Sequence, residues 1–176
     1  MGKTVYLIRH CQATGQEPDA ALTEEGKEQA QELMHFLEQR TIQHIISSPF
    51  TRAIQSVEPL ADSQGLKIEI DGRLAERRLV SATKTDWLER LEESFRDLEL
   101  KMAGGESSQE VTKLGMDVVE AAPDETVLST HGNIIGLLLK QIDGLVGLKE
   151  WKELSHPDVY EVKVEKGNCS ARRIWS

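Results

Sequence analysis

The sequence predicts an α/β fold whose central sheet is parallel in its middle and whose last element is a β-hairpin. Short apolar runs rich in β-branched residues alternate along the chain with amphipathic helical segments, a pattern typical of parallel α/β sheets. The segment "DVYEVKVEKGNCSARRIW" contains two strand-like stretches around a Lys166-Gly167-Asn168 turn. Because no repeat, low-complexity tract or long linker divides the 176 residues, we expect one domain over residues 1–176.

The predicted elements follow from hydrophobic period and from capping residues. Strands are expected where apolar runs are short, over 4–8, 43–48, 67–71 and 125–130. Helices are expected where apolar residues recur at helical spacing, over 22–40, 48–65, 84–100, 107–122 and 132–144. Thr23 and Ser48 are the expected N-caps of the first two helices, and Gly65 is the expected end of the second.

Composition narrows the class of function. The chain carries 21 Lys and Arg against 30 Asp and Glu, a net charge of −9, which argues against nucleic acid as a partner. No apolar run is long enough to cross a membrane or to form the core of a signal peptide, so no membrane partner is expected. Two cysteines are too few for a disulfide framework and suit reduced thiols in the cytoplasm. The oligomeric state stays open.

Charged and polar side chains follow three of the predicted strands. The strands end at Arg9-His10, at Ser47-Ser48 and at Thr130-His131. In parallel sheets ligands bind beyond the carboxyl ends of the strands. We therefore expect Arg9, His10, Arg52 and His131 to share one crevice.

The stretch "VYLIRHCQATGQ" offers two adjacent nucleophiles, His10 and Cys11. A thiolate phosphatase loop needs an arginine at the sixth position after its cysteine, and that position holds Glu17, which would repel a phosphate. The glycine expected three residues after the cysteine is Thr14. The sequence therefore favours a packed, unreactive thiol at position 11 over a cysteine nucleophile.

A histidine nucleophile fits the remaining residues. Neutral imidazole can accept a phosphoryl group and pass it to water, which divides one difficult step into two. Arg9 and Arg52 would bind the phosphoryl oxygens with planar guanidinium groups, and His131 would add a hydrogen bond. The leaving alcohol needs a proton, for which the candidate is Glu76 in "GRLAERR".

The motifs, in their order, resemble those of the histidine phosphatase superfamily, also called phosphoglycerate mutase-like, and the resemblance covers nearly the whole chain. "LIRHCQATGQ" is similar to the family's Arg-His-Gly motif, "SSPFTRAIQS" to the segment of its second arginine and "LSTHGNIIG" to that of its second histidine. "LTEEGKEQA", "RLAER" and "GGES" match further family segments. The resemblance implies a three-layer α/β/α sandwich with a mixed, mostly parallel sheet, and a helical insertion at about 80–122.

Carried over residue by residue, the resemblance assigns His10 as the phosphorylated nucleophile and Glu76 as the acid and later the base. Arg9, Arg52 and His131 would hold the phosphate, with no metal and no cofactor. Two positions depart from the family pattern. Cys11 stands in place of a glycine, and Gln16 stands in place of an asparagine that contacts phosphate, so the longer Gln16 amide is the expected phosphate ligand.

The resemblance favours a metal-independent phosphatase of the histidine acid phosphatase type, acting on a small phosphorylated metabolite. A mutase is the first alternative, although the stretch after Glu76 shows no clear carboxylate clamp and the family's mutases are longer. A phosphohistidine protein phosphatase is the second alternative. The departures at Cys11 and Gln16 motivate a third, a non-catalytic binder of phosphorylated ligands.

Overall fold

The computed structural model describes residues 2–75, 108–143, 154–166 and 168–175. Six strands form a single sheet in the spatial order β3-β2-β4-β1-β5-β6. The strands are β1 (Lys3–Arg9), β2 (His44–Ser47), β3 (Ile68–Ile70), β4 (Thr126–Thr130), β5 (Asp158–Glu165) and β6 (Asn168–Arg173). The predicted α/β fold with a C-terminal hairpin is confirmed.

Strand directions place the parallel part of the sheet on one side of β1. β4 pairs in parallel with both β1 and β2, and β2 pairs in parallel with β3. On the other side β1 pairs antiparallel with β5, which continues into the antiparallel hairpin with β6. Arg9 at the end of β1 lies opposite Asp158 at the start of β5, so the residues before Asp158 come to the same edge of the sheet as His10.

Four α-helices are described: α1 (Glu24–Glu38), α2 (Thr51–Gln64), α3 (Ser108–Ala121) and α4 (Gly132–Asp143). Thr23 caps α1 as predicted, with its side chain accepting from the Gly26 N–H at 2.9 Å. Gly65 ends α2 at φ 67°, the left-handed conformation that favours glycine. The predicted N-cap at Ser48 is wrong: α2 begins after Phe50, which makes no side-chain cap.

Two hydrophobic clusters on opposite faces of the sheet make the fold three-layered. Alternate residues of β1 divide between them, as the two-residue period of a strand requires. Val5 and Leu7 pack with residues of α3 and α4, whereas Tyr6 and Ile8 pack with residues of α1 and α2. The sandwich implied by the family resemblance is thus present in the described residues.

Several sequence predictions fall on residues that the structure does not describe. Glu76, the helix expected over 84–100 and the "GGES" segment all lie outside the described residues. Within the described ranges, none of the helices has the length and apolar character needed to span a bilayer.

Candidate active site

The carboxyl ends of β1, β2 and β4 meet at one edge of the sheet. The His10 N–H donates to the carbonyl of Thr130 at 3.2 Å, and the Ser48 N–H donates to the carbonyl of Ser129 at 2.9 Å. These bonds continue the parallel ladders by one residue beyond the strands. The predicted convergence of His10, His131 and the start of α2 at this edge is therefore seen in the structure.

His10 is held in one orientation by its neighbour's main chain. Its Nδ1 lies 2.7 Å from the carbonyl oxygen of Cys11, so Nδ1 carries the proton and donates it to that oxygen. Nε2 then has the lone pair, and the Nε–H of Arg52 lies 3.3 Å away from it. The imidazole consequently presents its unprotonated nitrogen on the side of Arg52.

The surroundings of His10 keep the ring neutral. Burial lowers its pKa most, and the positive charges of Arg52 and Arg9 and the nearby His156 ring lower it further. The hydrogen bond to Cys11 acts in the opposite direction, and the resulting pKa is about 3. A nucleophilic imidazole must be unprotonated, so this environment suits His10 to that chemistry across the neutral range.

Arg52 is almost completely buried in the first turn of α2. Its Nη1 donates to the main-chain carbonyls of Gln16 and Glu17, at 3.3 and 2.9 Å, and its guanidinium lies 5.0 Å from the centre of the Phe50 ring. The charged group is therefore fixed by the 16–17 loop and directed toward His10. A buried guanidinium in the first turn of a helix, where N–H groups also point outward, favours an anion.

Arg9 reaches the same edge from the end of β1. Its Nη1 donates to the carbonyl of Leu154 at 2.8 Å, which connects it to the loop before β5. The charge of Arg9 lowers the pKa values of His10, His131 and His156, as expected for a cation near the three rings. Arg9 and Arg52 thus place two guanidiniums around a cluster of imidazoles.

His131 is fully buried directly before α4. Its ring packs edge-on against His10 at 5.2 Å and against Phe50 at 5.0 Å, measured between ring centres. Its Nε2 lies 2.8 Å from the hydroxyl of Ser48, and its Nδ1 has no hydrogen-bond partner among the described residues. Burial, followed by the charges around it, lowers its pKa well below the usual value.

Cys11 occupies the position of the family glycine without obstructing the site. Its side chain is completely buried in the cluster beneath α1 and α2, and its N–H donates to the hydroxyl of Ser56 at 2.8 Å. Burial raises the pKa of the thiol to about 12. Among the described non-glycine residues, positive φ occurs at Glu125 and Lys166, so the backbone at Cys11 does not need a glycine.

Gln16 lies in an exposed loop and contacts Arg52 through its main-chain carbonyl. That the Gln16 side chain binds phosphate stays a prediction. Glu76 itself lies outside the described residues, which end at Ala75 in this part of the chain. Two residues before Glu76, the carbonyl of Leu74 accepts a hydrogen bond from the Thr130 hydroxyl at 2.7 Å. In the described ranges, no three His, Cys, Asp or Glu side chains are grouped in a way that could hold a metal ion.

One residue at this edge was missed by sequence analysis. The ring of His156 lies 5.3 Å from that of His10, and its Nδ1 is 3.4 Å from the His10 carbonyl oxygen. The sequence signal that could have identified His156 was the predicted C-terminal hairpin. If its first strand, β5, pairs antiparallel with β1, then β5 begins at the edge of the sheet where β1 ends. A histidine two residues before such a strand was therefore a candidate.

Comparisons with known proteins agree with this geometry. The model of the histidine phosphatase superfamily (branch 1) matches residues 5–175. A probable phosphoglycerate mutase GpmB from Erwinia tasmaniensis is 27% identical over 190 residues, which cover 97% of this chain and 83% of the relative.

Solved structures show the same fold. The structure of mycobacterial glucosyl-3-phosphoglycerate phosphatase superposes with a TM-score of 0.76 at 23% identity and covers 99% of both chains. A putative α-ribazole-5'-P phosphatase from Escherichia coli superposes with a TM-score of 0.71 at 18% identity, covering 99% of this chain and 96% of that one. Since the family model spans almost every residue from β1 to the end of the hairpin, the chain belongs to the histidine phosphatase superfamily.

Proposed function

We propose that this protein hydrolyses phosphomonoesters of small metabolites through a phosphohistidine intermediate on Nε2 of His10. The orientation of His10 is the observation that carries the proposal. Its Nδ1–H is used by the Cys11 carbonyl at 2.7 Å, so the remaining lone pair is on Nε2, beside Arg52. The lowered pKa of about 3 leaves this nitrogen unprotonated at neutral pH.

The groups around His10 suit a phosphoryl dianion. Arg9 and Arg52 provide positive charge, and a developing phosphoryl transition state spreads its charge over three oxygens. His131 offers its Nδ1, a buried atom without a hydrogen-bond partner among the described residues. We include Gln16 as a further phosphate ligand, since the loop that carries it is bonded to Arg52.

The reaction balances in two steps. Nε2 of His10 attacks phosphorus, the bond to the ester oxygen breaks, and the leaving oxygen takes a proton from an acid, for which we propose Glu76. Water then attacks the phosphohistidine and gives its proton to the same carboxylate as the P–N bond breaks. Neutral His10, a protonated Glu76 and inorganic phosphate result, and no metal takes part in the scheme.

Loss of the nucleophile provides the direct test. With p-nitrophenyl phosphate as substrate, His10→Ala should reduce kcat at least about a thousandfold. Cys11→Ala should keep turnover, and a rapid acid-free quench should trap phosphate bound to nitrogen in the wild-type protein. Loss of turnover in Cys11→Ala together with its retention in His10→Ala would contradict the proposal.

The acid is tested by varying the leaving group. Glu76→Gln should slow hydrolysis of an alkyl phosphate far more than that of p-nitrophenyl phosphate, whose leaving group needs little protonation. Equal slowing of both substrates would point to another proton donor. Activity that survives dialysis against EDTA is expected from the metal-independent scheme.

A mutase is the second candidate, because the GpmB relative is named a probable phosphoglycerate mutase. The two activities differ in the fate of the phosphoryl group. Incubation with 3-phosphoglycerate separates them: a phosphatase releases inorganic phosphate, whereas a mutase produces 2-phosphoglycerate with little release. Phosphate binding without turnover of any phosphoester would favour a non-catalytic binder instead.

A further inference from the structure

The loop before β5, residues 154–158, contacts two of the groups proposed to handle phosphate. The carbonyl of Leu154 accepts a hydrogen bond from Nη1 of Arg9 at 2.8 Å. Nδ1 of His156 lies 3.4 Å from the carbonyl oxygen of His10. The loop therefore lies against the site at the main chain of His10 and at the guanidinium of Arg9.

A buried carboxylate holds this loop in place. Asp158 is fully buried and accepts from the N–H groups of Ser155 and Val159, at 3.1 and 2.9 Å. It also accepts from Nε of Arg173 at 2.8 Å. Three hydrogen bonds to one buried carboxylate, in register with the β1–β5 ladder, fix the position of the loop relative to His10.

His156 is the side chain that this loop presents at the site. The residue is exposed at the surface although part of its ring is covered, and the ring centre lies 5.3 Å from that of His10. Because Nδ1 faces the His10 carbonyl, Nε2 is the outward nitrogen, and it has no hydrogen-bond partner among the described residues.

We propose that Nε2 of His156 becomes protonated when a phosphoryl dianion binds beside His10, and that it donates a hydrogen bond to that dianion. His156 is then an additional phosphate-contacting residue of the site. This inference rests on the proposed function, because that function places the dianion next to His10.

The charges facing His156 explain why protonation would accompany binding. Burial of part of the ring lowers the pKa of His156 most, the charges of Arg9 and Arg52 add to this, the His10 carbonyl opposes them, and the resulting pKa is about 4. On its own loop Asp158 is already paired with Arg173. A bound dianion offsets the two guanidiniums, so the pKa of His156 rises in the complex and a proton is taken up between the two values.

The alternative is that His156 only supports the main chain of His10 through Nδ1. Two substitutions separate the roles. In His156→Asn the amide nitrogen can replace Nδ1 and keep the hydrogen bond to the His10 carbonyl, but the side chain has no donor at the position of Nε2 to contact the dianion. In His156→Gln the longer amide can replace the outward Nε2 as a neutral donor. His35→Asn is the matched control, since His35 lies on α1 and bonds Glu38.

The experiment is calorimetric titration of inorganic phosphate into the wild-type protein and the three variants at pH 6 and pH 9. At pH 6, His156→Asn should weaken phosphate binding about tenfold, as expected for loss of a charge-assisted hydrogen bond. At pH 9 the difference from wild type should shrink, because the imidazole is then neutral in both states. The titration of phosphate itself cancels in the ratio at each pH.

His156→Gln should recover part of the binding with no dependence on pH, and His35→Asn should bind as wild type does. Unchanged binding in His156→Asn would overturn the inference. Weaker phosphate binding in His156→Gln but not in His156→Asn would also overturn it, because His156 would then only support the main chain of His10. A loss of phosphate affinity in His156→Asn that is equal at pH 6 and pH 9 would overturn it as well.

Turnover distinguishes this inference from the proposed function. A wild-type protein that binds phosphate with the His156 dependence but hydrolyses no phosphoester would contradict the function and leave the inference standing. Hydrolysis of p-nitrophenyl phosphate with an unchanged KM in His156→Asn, together with unchanged phosphate binding, would contradict the inference alone.

Discussion

The hydroxyl of Ser48 and Nε2 of His131 lie 2.8 Å apart, although the two residues are 83 positions apart in the sequence. Ser48 ends up here rather than at the cap of α2 because the Ser48 N–H continues the ladder to β4. The same hydroxyl accepts from the Phe50 N–H at 3.2 Å, which fixes it in front of the ring. Ser48 is thus the residue that orients the second histidine.

Ser48→Ala should therefore reduce kcat/KM for p-nitrophenyl phosphate about tenfold, since one hydrogen bond that orients His131 is lost. The fall should appear while the circular dichroism spectrum stays that of the wild type. Ser63→Ala, at an exposed position of α2, is the control and should keep the wild-type value. An unaltered kcat/KM in Ser48→Ala would show that His131 needs no orienting partner.

Cys11 should be chemically inert in the folded protein. A thiol with a pKa near 12 is almost entirely protonated at pH 8, so iodoacetamide should leave Cys11 unmodified while the protein is native. Mass spectrometry of peptides should find alkylation of Cys11 after unfolding in urea. Rapid alkylation of native Cys11 with parallel loss of activity would refute the packed-thiol interpretation.

Gly26→Ala should lower the free energy of unfolding by about 2 kcal/mol, because an added Cβ would collide with the main-chain carbonyl oxygen of Gln12. Since Gln12 follows the His10-Cys11 pair, kcat should fall as well. Urea denaturation measures the first effect and p-nitrophenyl phosphate turnover the second.

The chain offers a matched control for this substitution. A Cβ added at Gly72 meets no atom within 4 Å, so Gly72→Ala should change stability by less than about 0.5 kcal/mol. If both alanine variants were equally stable, the close approach of α1 to the loop after β1 would not constrain position 26.

Stability should fall as the pH falls from about 6.5 toward 3. Burial lowers the pKa of His10 to about 3 in the folded state, so the unfolded chain binds the extra proton throughout this window. The free energy of unfolding should then decrease by up to about 1.4 kcal/mol per pH unit for this residue. Urea denaturation of wild type and His10→Asn over this range should give a flatter profile for the variant, whereas parallel profiles would exclude the histidine as the cause.

Most of the fold could be predicted from the sequence because each strand and helix has a local pattern of apolar residues with the matching period. The apolar runs that became β1 and β4 are buried on both faces, and the apolar residues of α1 and α2 recur at helical spacing on the side that packs against the sheet. His10, Arg52 and His131 could be grouped because parallel strands end at a common edge. The role of Ser48 could not be predicted in this way, because a serine before a helix is also a good N-cap residue. The hydrogen bond from the Ser48 N–H to β4 determines that Ser48 extends the sheet instead.

His156 and Cys11 show what pattern analysis leaves out. His156 comes to the site through the antiparallel return of β5, and the motifs of the parallel strands carry no information about that pairing. Cys11 stands where the family has a glycine, but the backbone there does not adopt a positive φ, and the side chain packs into an apolar cluster. This apolar cluster is formed by the packing of α1 and α2, so the residues near position 11 in the sequence could not indicate it.

The position of β1 in the middle of the sheet has a consequence for synthesis. Among the six strands this one is made first, yet its two neighbours, Thr126–Thr130 and Asp158–Glu165, are made more than a hundred residues later. Its edges must stay unpaired through most of translation, at about 5–20 residues per second. Nascent chains interrupted before residue 158 would therefore expose an apolar strand to chaperones and to aggregation, and the edge that brings His10 and His156 together would form only once the hairpin has been released.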